Sequence, residues 1–348
     1  MSTDNLLAHV RTQVTVDVDS MDPRVAARHT SLSEKFCDMT SNQAIVYNEA
    51  FRYDRAELLA AACNAAQSSG LSGDDVIAHA VDILTVLLAK EVFPHLTGRV
   101  HAQTSPSHAY NTEATIAHAK KLVSLFEAND IPKSRVCIKI PATPESIVAC
   151  QYLEKIGIRT LATCLFSVSQ ALAASQAGCL YVAPYFNELR VHFDPRIWRE
   201  YNDTAKEHPM SPVIRAIVQI FKSINSRTLV MPASIVTSAE VLALVSLEPD
   251  HLTLSGTVLD QLASSDVPQS EPKLHHPEVP VDTPPAQAPD TQGASIHTTD
   301  FLANGAGALT EALSADAETT RKLTDALQIF GEMERKTFDL VREQLSKQ

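Results

Sequence analysis

The chain has no CxxC pair, no basic run, and no apolar stretch near the roughly 20 residues that a bilayer-spanning helix needs. Each absence narrows the field. The six cysteines (Cys37, Cys63, Cys137, Cys150, Cys164 and Cys179) are scattered. Several lie in apolar strand-like runs, where a reduced buried thiol is the ordinary state. The cytoplasm is the simplest compartment. Residues 1–19 have neither a basic start nor a continuous apolar run of signal-peptide length, so a leader is not expected. With 41 acidic against 29 basic residues, the formal charge is -12. Such a surface repels phosphodiester backbones and anionic membranes, so neither nucleic acid nor membrane is an expected partner. His275 and His276 stand in a proline-rich stretch with no other ligand at metal spacing, and no metal is expected.

What is present is alternation. Short β-branched or apolar runs at 13–18, 35–39, 99–103, 135–141, 159–165, 180–184, 228–231 and 251–254 read as strands. Segments of helical period separate them, among them 55–67, 73–90, 112–128, 144–156, 168–177, 212–223 and 238–246. Eight strands divided by helices predict an α/β fold, a single (β/α)8 TIM barrel over 1–265. The helix from Pro144 is well marked: Thr143 suits the N-cap, Pro144 the first turn and Gly157 the stop. Seven of the 19 prolines then fall between Pro268 and Pro289. That composition buries no core and predicts an extended linker over 266–300. Helical period returns in 301–348, with Leu323, Leu327, Phe330, Met333, Phe338, Leu340 and Val341 as its apolar positions. Such additional C-terminal helices need a partner, on their own barrel or on a neighbouring subunit, and a homo-oligomer is one expectation.

One lysine stands out. Lys139 lies in Val136-Cys137-Ile138-Lys139-Ile140-Pro141, an apolar strand that ends at the Pro141-Ala142-Thr143 turn. Burial there strips the ammonium of water and favours the neutral, nucleophilic amine. Barrel enzymes place such groups at the C-terminal ends of strands. The plainer alternative is a lysine that snorkels out of a strand end.

The run from Val136 through Pro144-Glu145-Ser146-Ile147 resembles the active-site signature of the transaldolase family, class I Schiff-base aldolases, with Ser146 in place of the usual glycine. Thr15-Val16-Asp17-Val18-Asp19-Ser20-Met21-Asp22 is similar to that family's first strand. Asp38-Met39-Thr40-Ser41-Asn42-Gln43-Ala44 is similar to its second-strand motif, with Gln43 replacing proline. The likeness runs from about Thr15 to Leu262. It implies that Lys139 forms the Schiff base, that Asp19 moves a proton, that Asn42 holds donor hydroxyls and that Thr163 holds a water. The plainer readings are Asp17 or Asp22 as alternatives to Asp19, with Asp22 the better cap, and Asn42 as a left-handed turn residue. No cofactor is expected, because the iminium is itself the electron sink.

Two positions bear on subtype. The resemblance places Gln103 where transaldolases carry glutamate, and Tyr185 where they carry phenylalanine. Ala102-Gln103, Thr160-Leu161-Ala162-Thr163 and Tyr181-Val182-Ala183-Pro184-Tyr185 read instead like the fructose-6-phosphate aldolase branch. A tyrosine can shuttle the proton and position the water that a glutamate otherwise controls. The phosphate anchors also depart from the family. Glu188 and Val236 occupy the places of its cationic residues, and only Ser234 keeps a hydroxyl. Either Arg190 or Arg196 reaches in from a reshaped loop, or the substrate carries no phosphate.

The expectation is therefore an enzyme that cleaves or forms the C3–C4 bond of a ketose, a sugar or a sugar phosphate, and releases or transfers a dihydroxyacetone unit. A true transaldolase of the pentose phosphate pathway is the first alternative. A binding relative without turnover is the second.

Overall fold

The alternating runs close into a parallel barrel in the computed structural model, which describes residues 5–31, 34–267 and 298–347. Its strands are β1 (Thr15–Val18), β2 (Val100–Gln103), β3 (Val136–Pro141), β4 (Arg159–Leu165), β5 (Tyr181–Pro184), β6 (Leu229–Val230) and β7 (His251–Leu254). The order β2-β3-β4-β5-β6 forms one continuous parallel sheet, and β1 pairs in parallel with β7. Asp250 N donating to Val230 O at 3.1 Å, and Thr253 N to Pro232 O at 3.4 Å, join β6 to β7.

The eighth stave is where sequence and structure differ. A strand is predicted over 35–39, but these residues make only isolated parallel bridges, Val18 to Met39 on one side and Phe36 to Leu96 and Met39 to Val100 on the other. The reason is local. Asp38 N is taken by the Asp17 carboxylate at 2.7 Å, so a regular ladder is interrupted although the barrel still closes. β6 is shorter than predicted, and Pro232, which has no N–H, follows soon after it.

The helices follow the predicted periods closely. Thr143 Oγ1 accepts from Ser146 N at 3.2 Å and caps Pro144–Lys155, with Gly157 in the left-handed region just beyond (φ 75°). The C-terminal period divides at Asp316 into Ala303–Ala315 and a long helix, Ala317–Ser346. The long helix buries Leu323, Ala326, Phe330, Met333 and Val341 against its own barrel. It packs on the helices Gln43–Ala50 and Asp74–Val92, on β4, and on the turns Pro106–His108 and Leu189–His192. Most of these neighbours lie just after strand C-termini, so the helix crosses that rim of the barrel. The predicted linker and His275-His276 fall largely or wholly outside the described residues. Among the described residues no helix is long and apolar enough to cross a membrane.

The floor of the barrel is polar rather than aliphatic. Asp17 pairs with His251 and Asp38 with His101, both at 2.8 Å, and the ring of Tyr181 lies between the two histidines. Two buried carboxylates are tolerated there because each has an imidazole and a backbone N–H. Asp17 is thus a floor residue, one inward-facing position below Asp19.

Candidate active site

Lys139 projects from β3 into the barrel and is only 2% exposed. Burial lowers its pKa below the ordinary lysine range, although Asp19 and Cys164 pull the other way. A neutral amine is favoured for the same reason that an apolar strand disfavours an ion. Gln103 stands opposite Lys139 in the β2–β3 register, so the two side chains share a face. Asp19 follows β1, and its Oδ1 accepts from Thr40 Oγ1 at 2.6 Å; Thr40 in turn lies 2.6 Å from Thr253 Oγ1. Two threonines from neighbouring staves therefore fix the carboxylate that faces the lysine.

Thr163 and Tyr185 complete the ring. Thr163 Oγ1 donates to the Tyr185 phenol oxygen at 3.1 Å, and both side chains are buried. Burial pushes the phenol well above its usual value, so it stays protonated at neutral pH. The Phe166 ring meets Tyr185 edge-on, with centroids 5.6 Å apart.

Gln103 is oriented by a residue whose role the sequence did not suggest. Gln43 Nε2 donates to the carbonyls of Thr104 (2.9 Å) and Gln103 (3.4 Å), which fixes that end of its amide as nitrogen. Gln43 Oε1 must then accept from Gln103 Nε2, which it does at 2.7 Å. Gln103 Oε1 remains buried without a hydrogen-bond partner among the described residues. It is an acceptor awaiting a donor. A proline at position 43 would make none of these bonds.

Cys164 was also missed, for a structural reason. Strict alternation with inward Thr163 would turn it away from the lumen. A register irregularity between Ala162 and Leu165, with Cys164 at φ 52°, brings its thiol toward Lys139 and Tyr185 instead. Burial pushes that thiol up to about 12, with Lys139 only partly offsetting it. It is a thiol rather than a nucleophilic thiolate.

The remaining predicted residues separate. Asn42 is extended (φ -163°), not left-handed, and its Oδ1 caps Gln43–Ala50 by accepting from Ala44 N and Ile45 N. Asp22 is a cap, as its plainer reading has it, at the start of Pro23–Arg28. Ser234 is buried in the left-handed region (φ 60°), with Oγ 2.8 Å from His192 Nε2. Desolvation lowers the His192 pKa, against the attraction of Asp19 and Glu240. The arginines do not reach inward. Arg190 pairs with Asp325 of the long helix at 3.6 Å, and Arg196 pairs with Asp194 while 89% exposed. Glu188 is met by Arg321 of the same long helix at 2.8 Å.

A lysine, a carboxylate and a phenol–threonine pair converging at the C-terminal end of a parallel barrel suit carbonyl chemistry. Comparison with known proteins agrees. Residues 15–330 match the family model described as transaldolase/fructose-6-phosphate aldolase. A transaldolase from Kluyveromyces lactis is 30% identical over 95% of this chain and 92% of that protein. One from Alteromonas mediterranea is 29% identical over 98% and 99% of the two. One from Gibberella intermedia is 30% identical over 66% and 71%. The chain, with its Schiff-base signature inside a closed parallel barrel, belongs to the transaldolase/fructose-6-phosphate aldolase family.

Proposed function

We propose that Lys139 attacks the carbonyl of a ketose, and that Asp19 removes the C4 hydroxyl proton as the C3–C4 bond breaks. The observation that carries this reading is the buried, pKa-lowered Lys139 facing Asp19 on one side and Gln103, Thr163 and Tyr185 on the other. The amine adds to the carbonyl, and loss of water gives an iminium. Cleavage leaves its electron pair on the donor fragment as an enamine and expels an aldehyde. The enamine then either takes a proton, so that hydrolysis frees dihydroxyacetone, or adds to a second aldehyde.

Tyr185 and Gln103 bias that choice toward release. A protonated phenol beside the enamine carbon is a proton donor, and Gln103 Oε1 can accept from the hydrolytic water. A glutamate at 103 would hold that water as a base instead. Asn42 keeps its amide nitrogen for a donor hydroxyl, and Ser234 offers a hydroxyl near the far end of the substrate. Six free thiols suit a reducing compartment such as the cytoplasm.

The three relatives above are named transaldolases, which supports a second reading in which transfer dominates. The two separate by product. Incubating the protein with a ketose and no acceptor should yield free dihydroxyacetone. Acceptor-dependent transfer with none released would make it a transaldolase in the strict sense. The double variant Gln103→Glu, Tyr185→Phe should shift the release-to-transfer ratio by on the order of 100-fold toward transfer, the low end of what one proton-transfer group contributes.

A further inference from the structure

We propose that the outer part of this site receives the uncharged hydroxylated end of an unphosphorylated sugar and works against a phosphate group. The inference rests on the Schiff-base reading above and concerns the pocket wall formed after β5 and β6.

Four cations of that wall are already engaged. Arg321 is held by Glu188 (2.8 Å), Glu318 (2.7 Å) and Asp325 (2.8 Å), three carboxylates for one guanidinium. Arg190 shares Asp325, and Arg196 has turned out to Asp194. Lys322 lies over the Phe166 ring at 5.8 Å and 3.5 Å from Glu318. The two imidazoles nearby do not compensate. Burial lowers His208, stacked on Phe186, to about 4, and His192, although solvent-exposed, is lowered by the protein packed around its ring and is already bonded to Ser234 Oγ.

Several backbone donors that an anion would use are also occupied: Val236 N by Glu240, Ser238 N by Gln261 Oε1 (3.0 Å) and Glu240 N by Thr237 Oγ1 (3.2 Å). After β6 the chain enters the helix Ser238–Val245, whose first N–H groups are a natural phosphate cradle. Here the protein supplies its own anion. Glu240, 3% exposed, accepts from Val236 N at 2.8 Å, from Asn187 Nδ2 at 3.0 Å and from Trp198 Nε1 at 2.8 Å. This is more than a helix cap, since the side chains from two other loops converge on it. An incoming phosphate would meet the buried Glu240 carboxylate where it needs donors. A sugar hydroxyl has no such conflict: it can donate to His192 or accept from Ser234, which already form a neutral pair at 2.8 Å. The net charge of -12 adds a long-range bias against dianions.

The test uses the full chain and three ketoses: dihydroxyacetone, fructose and fructose 6-phosphate. Borohydride trapping on Lys139 is read by mass, and cleavage by kcat/KM. Dihydroxyacetone has no distal end and reports Schiff-base formation alone. Fructose should be cleaved with a kcat/KM at least about tenfold above fructose 6-phosphate, the discrimination expected when one charged group is left without its partner. Glu188→Arg should raise the fructose 6-phosphate to fructose ratio about tenfold, and Glu188→Gln by less. Trapping by dihydroxyacetone together with a wild-type preference for fructose 6-phosphate overturns this inference and leaves the Schiff-base reading standing. Failure of all three to mark Lys139 sinks that reading, and this one with it.

Discussion

Lys139→Arg should form no borohydride-stable adduct with any ketose, and its turnover should fall by on the order of 10⁴-fold or more, as when a covalent nucleophile is removed. Arginine keeps the charge but cannot lose its proton near neutral pH, so it has no lone pair to offer. Lys139→Met supplies the complementary result. It should be equally inactive yet fold at least as well, because a buried ammonium costs solvation that methionine does not. The sign of the pH effect follows from the lowered pKa. Between that value and the ordinary 10.5, the unfolded chain holds the lysine proton and the folded chain has released it. Unfolding therefore takes up a proton, and this contribution to stability is complete above the unfolded value and declines as pH falls toward the folded one. Denaturation curves for the wild type should show that slope in the alkaline range, and Lys139→Met should lack it. An adduct on Lys139→Arg, or the same alkaline slope in Lys139→Met, would sink the assignment.

The strand and the capped helix after it were legible because their cause is local, whereas the role of Lys139 came from the resemblance of the run around it. An apolar run with one cation, followed by a turn and a capped helix, needs no tertiary knowledge to interpret. Thr163 and Tyr185 were reached through the resemblance, and they meet at 3.1 Å. Cys164 was lost because strict alternation points it away from the lumen, whereas the irregularity in β4 turns it back. Gln43 looked only like a missing proline. Its meaning lies in two carbonyls of β2 and the turn after it, sixty and sixty-one residues away in sequence. Either Arg190 or Arg196 was one of two options for meeting a phosphate, the other being a substrate without one. Their actual partners, Asp325 and Asp194, show how readily a rim arginine finds a closer carboxylate. Glu188 illustrates the converse. In sequence it is an acid where the family has a base, and only the long helix crossing the rim brings Arg321 to it. Pairings between elements distant in sequence were the part that pattern could not supply.

The barrel floor was the least legible region, and it carries the second large effect. Asp38 is fully buried, accepts from Arg99 N at 2.6 Å and pairs with His101 Nε2 at 2.8 Å. Burial works to raise its pKa, but the His101 hydrogen bond and charge, with the Arg99 N–H and the Tyr181 hydroxyl, hold it below the usual carboxylate range. Packing leaves no slack. A Cβ added to Gly98 would collide with Asp38 Oδ1, so the carboxylate rests directly on that backbone. Asp38→Ala should cost about 3–5 kcal/mol, the range for removing one partner of a buried pair, since His101, Tyr181 and the Arg99 N–H lose their acceptor together. Asp38→Asn keeps one acceptor oxygen and should lose less. Because the folded pKa lies below the ordinary 3.8, the Asp38 contribution is complete above that value and fades as pH drops beneath it. The Asp38→Ala deficit should therefore be constant at neutral pH and narrow in acid. Urea titrations of the three proteins across that range measure it, and a deficit below about 1 kcal/mol, no more than an ordinary hydrogen bond, would remove the floor network from any central role. Whatever protein remains folded should still trap dihydroxyacetone on Lys139, because Asp38 stiffens the wall on which Thr40 and Asp19 are mounted without touching the reacting atoms.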